Sequence, residues 1–339
     1  MTGLKNFEDL IQECIDCDKN LLLGNGFSIA YEKDTFTYQS LINESSLPQK
    51  IKKLFEIFNT TDYELVINNL KVLAETFSNR NISTEITNIV ELVKRDLVRT
   101  ILNKHPKSQF EVNITRKENT LSFLLNYNNI FTLNYDLLLY WIIMYYLDIQ
   151  NGKVNYCDIL ANSNHTIDDG FESYRPFDCV WTNKRKKQNI YYMHGALYLF
   201  HDETNTYKIK YDKFRDTSLL KQIKDYIKDN TSPLVITEGN SDDKLKWIRG
   251  NHYLNYCYEQ FCQIQGVLFI HGHSLDDKDK HIFDAINTNP NIKAVYISIF
   301  DLKTNEENIR RKAYERFSER LNNQSLVVDF YDAQSVAIW

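Results

Sequence analysis

The chain has 339 residues, enough for two domains of roughly 150 residues or for one large α/β domain carrying an insertion, and in either case for a sizeable core. Hydrophobic residues make up 43% and charged residues 25%, which excludes global disorder. With 40 Lys and Arg against 45 Asp and Glu the net charge is −5, which argues against nucleic acid or an acidic membrane held by charge alone.

Taken in chain order, Phe7, Leu10, Ile11, Cys14 and Ile15 recur at helical spacing within 7–17, ahead of a short apolar strand at Asn20–Leu23. From Phe36 to about Leu125 the periodicity is helical almost throughout. Its clearest stretch is Ile86, Ile89, Val90, Val93, Leu97 and Ile101, with Arg and Lys on the other face. Residues 36–126 are therefore expected to form an inserted helical subdomain. Ile130–Leu133 reads as the second strand and Asn134–Leu147 as an apolar helix. The apolar run Leu137–Leu147 is about half a membrane span and lies between Asp136 and Asp148, so no membrane association is expected.

Residues 148–189 read as loops and short hairpins, with the basic cluster Lys184–Lys187 at a solvated tip. Strands are expected at Ile190–Met193 and Leu234–Thr237, and helices over 214–227, 241–249 and 251–263. The last third alternates regularly: strand 267–270, helix 277–287, strand 292–299, helix 304–321, strand 326–330. Short apolar strands separated by helices imply a Rossmann-like α/β fold. The expectation is a mostly parallel sheet with helices on both faces and a helical insertion between the first two strands, with 1–339 as a single domain.

Six cysteines are scattered, and Cys14 and Cys17 make the one CxxC pair. A structural zinc site needs a second such pair, so ordinary reduced thiols are the better reading and no metal is expected. Together with an N-terminus lacking the basic-then-apolar signal pattern, this suggests a cytoplasmic protein.

Glycine and proline number 10 and 5, about 4% of the chain against a typical sum near ~12%, so each glycine should have a backbone reason. Gly24, Gly26, Gly195, Gly239 and Gly272 follow the apolar runs, at the carboxyl ends where α/β sheets bind ligands. Four motifs lie there. Leu23-Gly24-Asn25-Gly26-Phe27-Ser28 has two glycines and a hydroxyl residue opening a helix, a geometry suited to a diphosphate. Thr132-Leu133-Asn134-Tyr135-Asp136 ends a strand in an amide and a carboxylate; Asp136 alone reads as a helix cap. In Met193-His194-Gly195 a strand-end histidine is placed for acid/base work or for a structural role. Gly272-His273-Ser274 reads as a second nucleotide-binding turn. No GxxxxGK[ST], GxSxG or complete GxGxxG occurs, which disfavours P-loop nucleotidases, serine hydrolases and redox dehydrogenases.

In this order the motifs resemble those of sirtuins and of the sirtuin-like NAD-consuming domains of bacterial antiphage defence. The run is most similar to a bacterial sirtuin-like family of unknown function that also carries Glu-Gly-x-Ser-x-x-Lys and Gly-His-Ser-x-x-x-x-Asp, matched by Glu238–Ser241 with Lys244, and by Gly272–Ser274 with Asp279. The resemblance spans about residues 20–300. It implies that Gly24, Gly26 and Ser28 hold the NAD diphosphate. Asn25 stands where sirtuins usually carry Ala. Asn134 would meet the nicotinamide ribose and Asp136 the carboxamide. His194, followed by Gly195, would be the general base, and Gly272 and Ser274 would meet the adenosine half. The implied activity is NAD glycohydrolysis, latent until triggered by self-assembly into a homo-oligomer or by a partner such as an ATPase or nuclease. The four-cysteine zinc module of sirtuins proper is missing, so protein deacylation is not expected. A non-catalytic NAD or ADP-ribose sensor and an ADP-ribosyltransferase are the alternatives. Glu238 is either a second acid of the pocket or, as the preferred reading, a helix-start cap.

Overall fold

In the computed structural model the described residues are 4–33, 35–154, 166–173, 178–182, 187–209, 218–228 and 232–339. The run Lys19–Leu23 forms β1, and all five of its residues are buried. A strand buried along its whole length has to be covered on both faces, so it lies at the centre of a sheet. On one side β1 pairs in parallel with β2 (Asn129–Thr132), and β2 with β5 (Ile190–Tyr192). On the other side it pairs with β8 (Gly266–His271), followed by β9 (Ile292–Ile299) and β10 (Val327–Asp332), all parallel. The sheet order β10-β9-β8-β1-β2-β5 thus runs away from β1 in both directions. The carboxyl ends of β1 and β8 form the topological switch point, where sheets of this type open a crevice. The expected Rossmann-like α/β fold is what is found.

The buried polar residues at the foot of β1 close its ladder. Asn20 donates to Gln265 O and Val267 O at 2.7 and 3.1 Å and accepts from Asn129 at 2.9 Å. Between β1 and β2 the chain is helical, as the periodicity implies: α2 (Gly26–Tyr31), α3 (Tyr38–Glu44), α4 (Gln49–Ile57), α5 (Tyr63–Thr76), α6 (Arg80–Lys104) and α7 (Ile114–Leu124), after α1 (Phe7–Glu13). Asp62, Asn79 and Asn113 cap α5, α6 and α7 by accepting from backbone amides of their first turns. A second, antiparallel sheet, β3-β4-β7-β6, is built from Phe171–Ser173, Asp178–Trp181, Thr206–Ile209 and Leu199–His201. The remaining helices are α8 (Leu138–Gln150), α9 (Leu219–Lys228), α10 (Ser241–Gly250), α11 (His252–Cys262), α12 (Lys280–Thr288), α13 (Leu302–Arg316) and α14 (Ser318–Asn322). No helix among the described residues is long and apolar enough to cross a membrane.

Four elements differ from expectation. The helix after β2 starts at Leu138 rather than Asn134, because the side chains of Asn134 and Asp136 bond to other loops and to the helix amides. Leu234–Thr237 is not a sheet strand. Leu234 donates to Leu199 O and Ile236 to His194 O, and its single bridge joins Val235 to Gly195. The helix expected over 304–321 breaks at Phe317 into α13 and α14, and α1 ends at Glu13. Of Lys184–Lys187, residues 184–186 lie outside the described residues, as does the start of the helix expected from 214.

Candidate functional site

The loops after β1 and β8 touch backbone to backbone. Gly24 N donates to His271 O at 2.9 Å and Gly26 N to Gly272 O at 2.7 Å. Gly272 has φ +72°, and a Cβ on it would lie 2.6 Å from Phe27 N; a Cβ on Gly26 would lie 2.6 Å from Gly272 Cα. The switch-point glycines are therefore required by one another, whatever else the crevice holds. Asn25 is exposed and reaches Phe36 O at 3.4 Å.

Beside this crossing, the strand-end polar residues of β2 meet the first turn of α2. Asn134 is half-buried, and its Nδ2 donates to Gly24 O at 2.9 Å and to Ser28 Oγ at 3.1 Å. The fully buried Ser28 hydroxyl donates in turn to Asp136 Oδ2. The other oxygen of Asp136 accepts from Leu138 N, the first amide of α8, at 2.8 Å, although the cap position itself is Leu137. Burial raises the Asp136 carboxyl above its ordinary value, against the Ser28 and Leu138 bonds that favour the charged form. His105 stands 3.9 Å away and is neutral: burial pushes it down to about 3, and its Nε2 accepts from Leu137 N. Ser28, Asn134 and Asp136 thus form one hydrogen-bonded set joining the ends of β1 and β2.

His194, just beyond β5, belongs to a second and more highly charged set. It is 3% exposed, and its Nε2 lies 3.3 Å from His281 Nε2 on α12 and 4.0 Å from Asp279 Oδ1. Gly195 N donates back to Tyr192 O, turning the chain after the histidine. Burial holds His194 well below the ordinary histidine range, and Lys244 lowers it further. His281 is pushed down to about 4, again chiefly by burial; its Nδ1 is 3.0 Å from Ser241 Oγ. Both imidazoles are neutral at pH 7, and one donates its ring proton to the other.

Asp279 anchors this set. Lys244 Nζ donates to its Oδ1 at 2.9 Å, and His273 Nε2 is 3.1 Å from its Oδ2. Leu275 N donates to His273 Nδ1, which leaves the ring proton on Nε2 facing the carboxylate. Burial alone would raise the Asp279 carboxyl; Lys244 first, then the His273 bond, outweigh it and hold it well below its ordinary value. Lys244, 1% exposed, also donates to Glu64 Oε2 of α5 at 3.0 Å. Lys278 lies 3.4 Å from the same Glu64 oxygen and donates to Asp62 Oδ2 at 2.9 Å. His194, Asp279 and His281 each bring a ligand atom within 4.8 Å of the others, a donor set of divalent-metal type. Both oxygens of Asp279 also make other contacts, Oδ1 with the Lys244 ammonium and Oδ2 with His273.

The two sets adjoin, since the Cβ position of Gly24 falls 2.9 Å from the Cα and Cβ of His273. Ser274 stands apart at the surface: its hydroxyl donates to Asp276 Oδ2 at 2.6 Å, and Lys312 bonds Ser274 O and Asp276 Oδ1. Glu238 is not the helix cap it was expected to be. Asn240 caps α10 by accepting from Asp243 N, while Glu238, buried, takes Lys94 and Lys71 at 3.1 and 3.3 Å. It lies in a broad groove of about 3020 Å³ lined also by Asp96, Trp181 and Trp247, which includes none of Gly24, Asn134 or His194. Size alone therefore does not mark the strand-end residues; their convergence does.

His281, Lys244 and Glu64 escaped the sequence reading as site residues. The Gly-His-Ser-x-x-x-x-Asp spacing pointed to Asp279 without a role, and His281 two positions on shares its turn. Glu64 carried no signal beyond an acid among apolar neighbours.

A doubly wound α/β protein with a buried, histidine-centred polar site at the carboxyl ends of four adjacent parallel strands is the class these features define. The chain belongs to the family described as Domain of unknown function (DUF4917), whose family model matches residues 21–339. No curated protein matches it.

Proposed function

We propose that this protein is a sirtuin-like NAD glycohydrolase, releasing nicotinamide and ADP-ribose. The observation that carries the reading is the convergence of four motifs far apart in sequence. Gly24–Ser28, Asn134–Asp136, His194–Gly195 and Gly272–Ser274 follow β1, β2, β5 and β8, which are neighbours in the sheet.

The chemistry suits the groups present. Cleavage of the nicotinamide N-glycosidic bond develops positive charge on the ribose, and nicotinamide leaves without needing a proton. A neutral His194 accepts a proton from a ribose hydroxyl or water, and His281 and Ser241 stand behind it to orient the ring. Asn134, half-buried beside Gly24 O, presents an amide to the ribose. Gly24, Gly26 and Gly272 would flank the dinucleotide, while Ser274 is turned away to Asp276 at the surface. Asp136 has both oxygens occupied by Ser28 and Leu138 N, so contact with a carboxamide requires the Ser28 bond to open. The tight crossing of the two glycine loops suits an enzyme that is latent until self-assembly, or an ATPase or nuclease partner, opens it. Depletion of NAD during phage infection is the role this would serve.

The test is nicotinamide release from NAD by the purified protein, with calorimetric NAD binding in parallel. Asn134→Ala and His194→Ala are each expected to reduce release by about a hundredfold or more. Binding unchanged by His194→Ala, with no release even after assembly or addition of a partner, would instead establish a sensor. Label from NAD retained on a macromolecule would establish an ADP-ribosyltransferase.

A further inference from the structure

The charged groups around His194 are paired, and one partner comes from outside the strand-end loops. Lys244 stands on α10, Asp279 and His273 between β8 and α12, and His281 on α12; these are the titratable groups that face His194. Behind Lys244 lies Glu64, the second residue of α5, in the helical segment inserted between β1 and β2. Glu64 is 5% exposed. Its placement is fixed by backbone. A Cβ on Gly239, two residues before α10, would lie 2.1 Å from Glu64 O, so α5 rests directly on the chain that leads to Lys244. Asp62, the cap of α5, holds Lys278 on the neighbouring loop at 2.9 Å.

The result is a line of alternating charge, Glu64, Lys244, Asp279, ending 4.0 Å from His194 Nε2. We propose that Glu64 is a positioning residue for His194: by holding one side of the Lys244 ammonium, it keeps that cation shared and preserves the negative potential that Asp279 places 4.0 Å from the imidazole. The assignment rests on His194 being the base of the proposed reaction. With Glu64 neutral, the whole of the Lys244 charge turns to Asp279 in a buried, weakly screened setting. The Asp279 charge is then neutralised more fully, and His194 loses part of the negative potential that makes it a better base. In this way a helix of the insertion acts on the strand-end histidine without touching it.

The experiment compares Glu64→Gln in the otherwise native full-length chain with the same substitution in a Lys244→Met background. Two readouts are taken: the ring 15N resonances of His194, assigned by their disappearance in His194→Gln, and nicotinamide release from NAD. Glu64→Gln is expected to shift the His194 ring resonances and to lower kcat by about tenfold with KM changed by less than about twofold. In the Lys244→Met background both effects are expected to be several-fold smaller, because Lys244 is the group that joins Glu64 to Asp279, and Lys278, the other cation at Glu64, is held by Asp62. His194 resonances that move equally in both backgrounds, or in neither, would overturn the proposal and leave Glu64 a stabilising residue only. If the native protein releases no nicotinamide even after assembly or addition of a partner, the glycohydrolase reading fails on that result, while the ring resonances, which need no turnover, still decide the role of Glu64. Should Glu64→Gln not fold, Glu64→Asp withdraws the charge by one methylene. It is read in the same two backgrounds, with a smaller shift of His194 expected and none overturning the proposal.

Discussion

The two halves of the candidate site are built on different physics. Around the β1 and β8 loops, glycine backbones cross with no room for a side chain, and the polar groups beside them, Ser28, Asn134 and Asp136, satisfy one another over short sequence distances from their strand ends. Around His194 the fold instead buries a line of full charges drawn from α5, α10 and the β8–α12 connection. The first half is held by shape and the second by electrostatics. Shape is insensitive to protons, and a buried charge is not. Substitutions in the two halves should therefore differ in how their effects depend on pH.

The largest effect is expected at the crossing. Gly272→Val adds a β-branched side chain at φ +72°, with its Cβ 2.6 Å from Phe27 N, where only the backbone can move. A loss of about 4 kcal/mol in unfolding free energy is expected. Measured by urea titration, that loss should be the same at pH 7 and pH 5, because nothing that titrates touches the substituted atom. A pH-dependent loss would mean that the crossing supports the charge network and is not separate from it.

Next in size is Lys244→Met, which leaves the buried Asp279 without its cation and Glu64 with Lys278 alone, for an expected loss of about 3 kcal/mol at pH 7. Here the sign of the pH effect follows from Asp279. In the native protein its carboxyl is held well below the ordinary value, so its contribution is complete above about pH 4 and is lost only as pH falls through the folded value. Without Lys244, burial dominates and raises the Asp279 carboxyl. The folded variant then takes up protons as pH drops from 7 to 5, and its deficit against the native protein shrinks. A deficit equal at the two pH values would show that Lys244 acts by packing rather than by charge.

The same division explains what was legible in the sequence. Strands β1, β2, β5, β8 and β9 could be read because each is a short apolar run closed by a polar or glycine residue, and the parallel sheet follows from the helices between them. Gly24, Asn134, His194 and Gly272 were found because a strand end announces the residues that follow it. Leu234–Thr237 misled for the same reason. It is apolar, but its backbone bonds go to His194 O and Leu199 O, beside the edge strand, which only the tertiary structure reveals. Glu64 and Lys244 are 180 positions apart in the chain, and an acid at one turn of an amphipathic helix carries no local mark of its partner. Glu238 failed similarly: its position before α10 suggested a cap, whereas its charge is matched by Lys71 and Lys94 from the insertion. Pairings fixed by shape leave local patterns, and pairings of buried charge across the fold do not.

The smallest predicted effect tests whether the first half is free of electrostatics altogether. Ser28→Ala removes a buried hydroxyl that donates to Asp136 Oδ2 and accepts from Asn134 Nδ2. Losing one such bond at a buried carboxylate is worth about 1–2 kcal/mol at pH 7. The Ser28 bond favours the charged form of Asp136, against the burial that raises its carboxyl. Its removal therefore raises that carboxyl further, and the folded variant holds a proton on Asp136 to higher pH than the native protein does. As pH falls from 7 toward 4 the protonated carboxyl no longer needs the hydroxyl donor, and the difference between variant and native protein closes. A difference that persists at pH 4 would mean that the hydroxyl matters through Asn134 and the Gly24 loop instead. Asp136 would then be an acceptor for the first amide of α8 and nothing more, and the carboxylate should be removed from the candidate site.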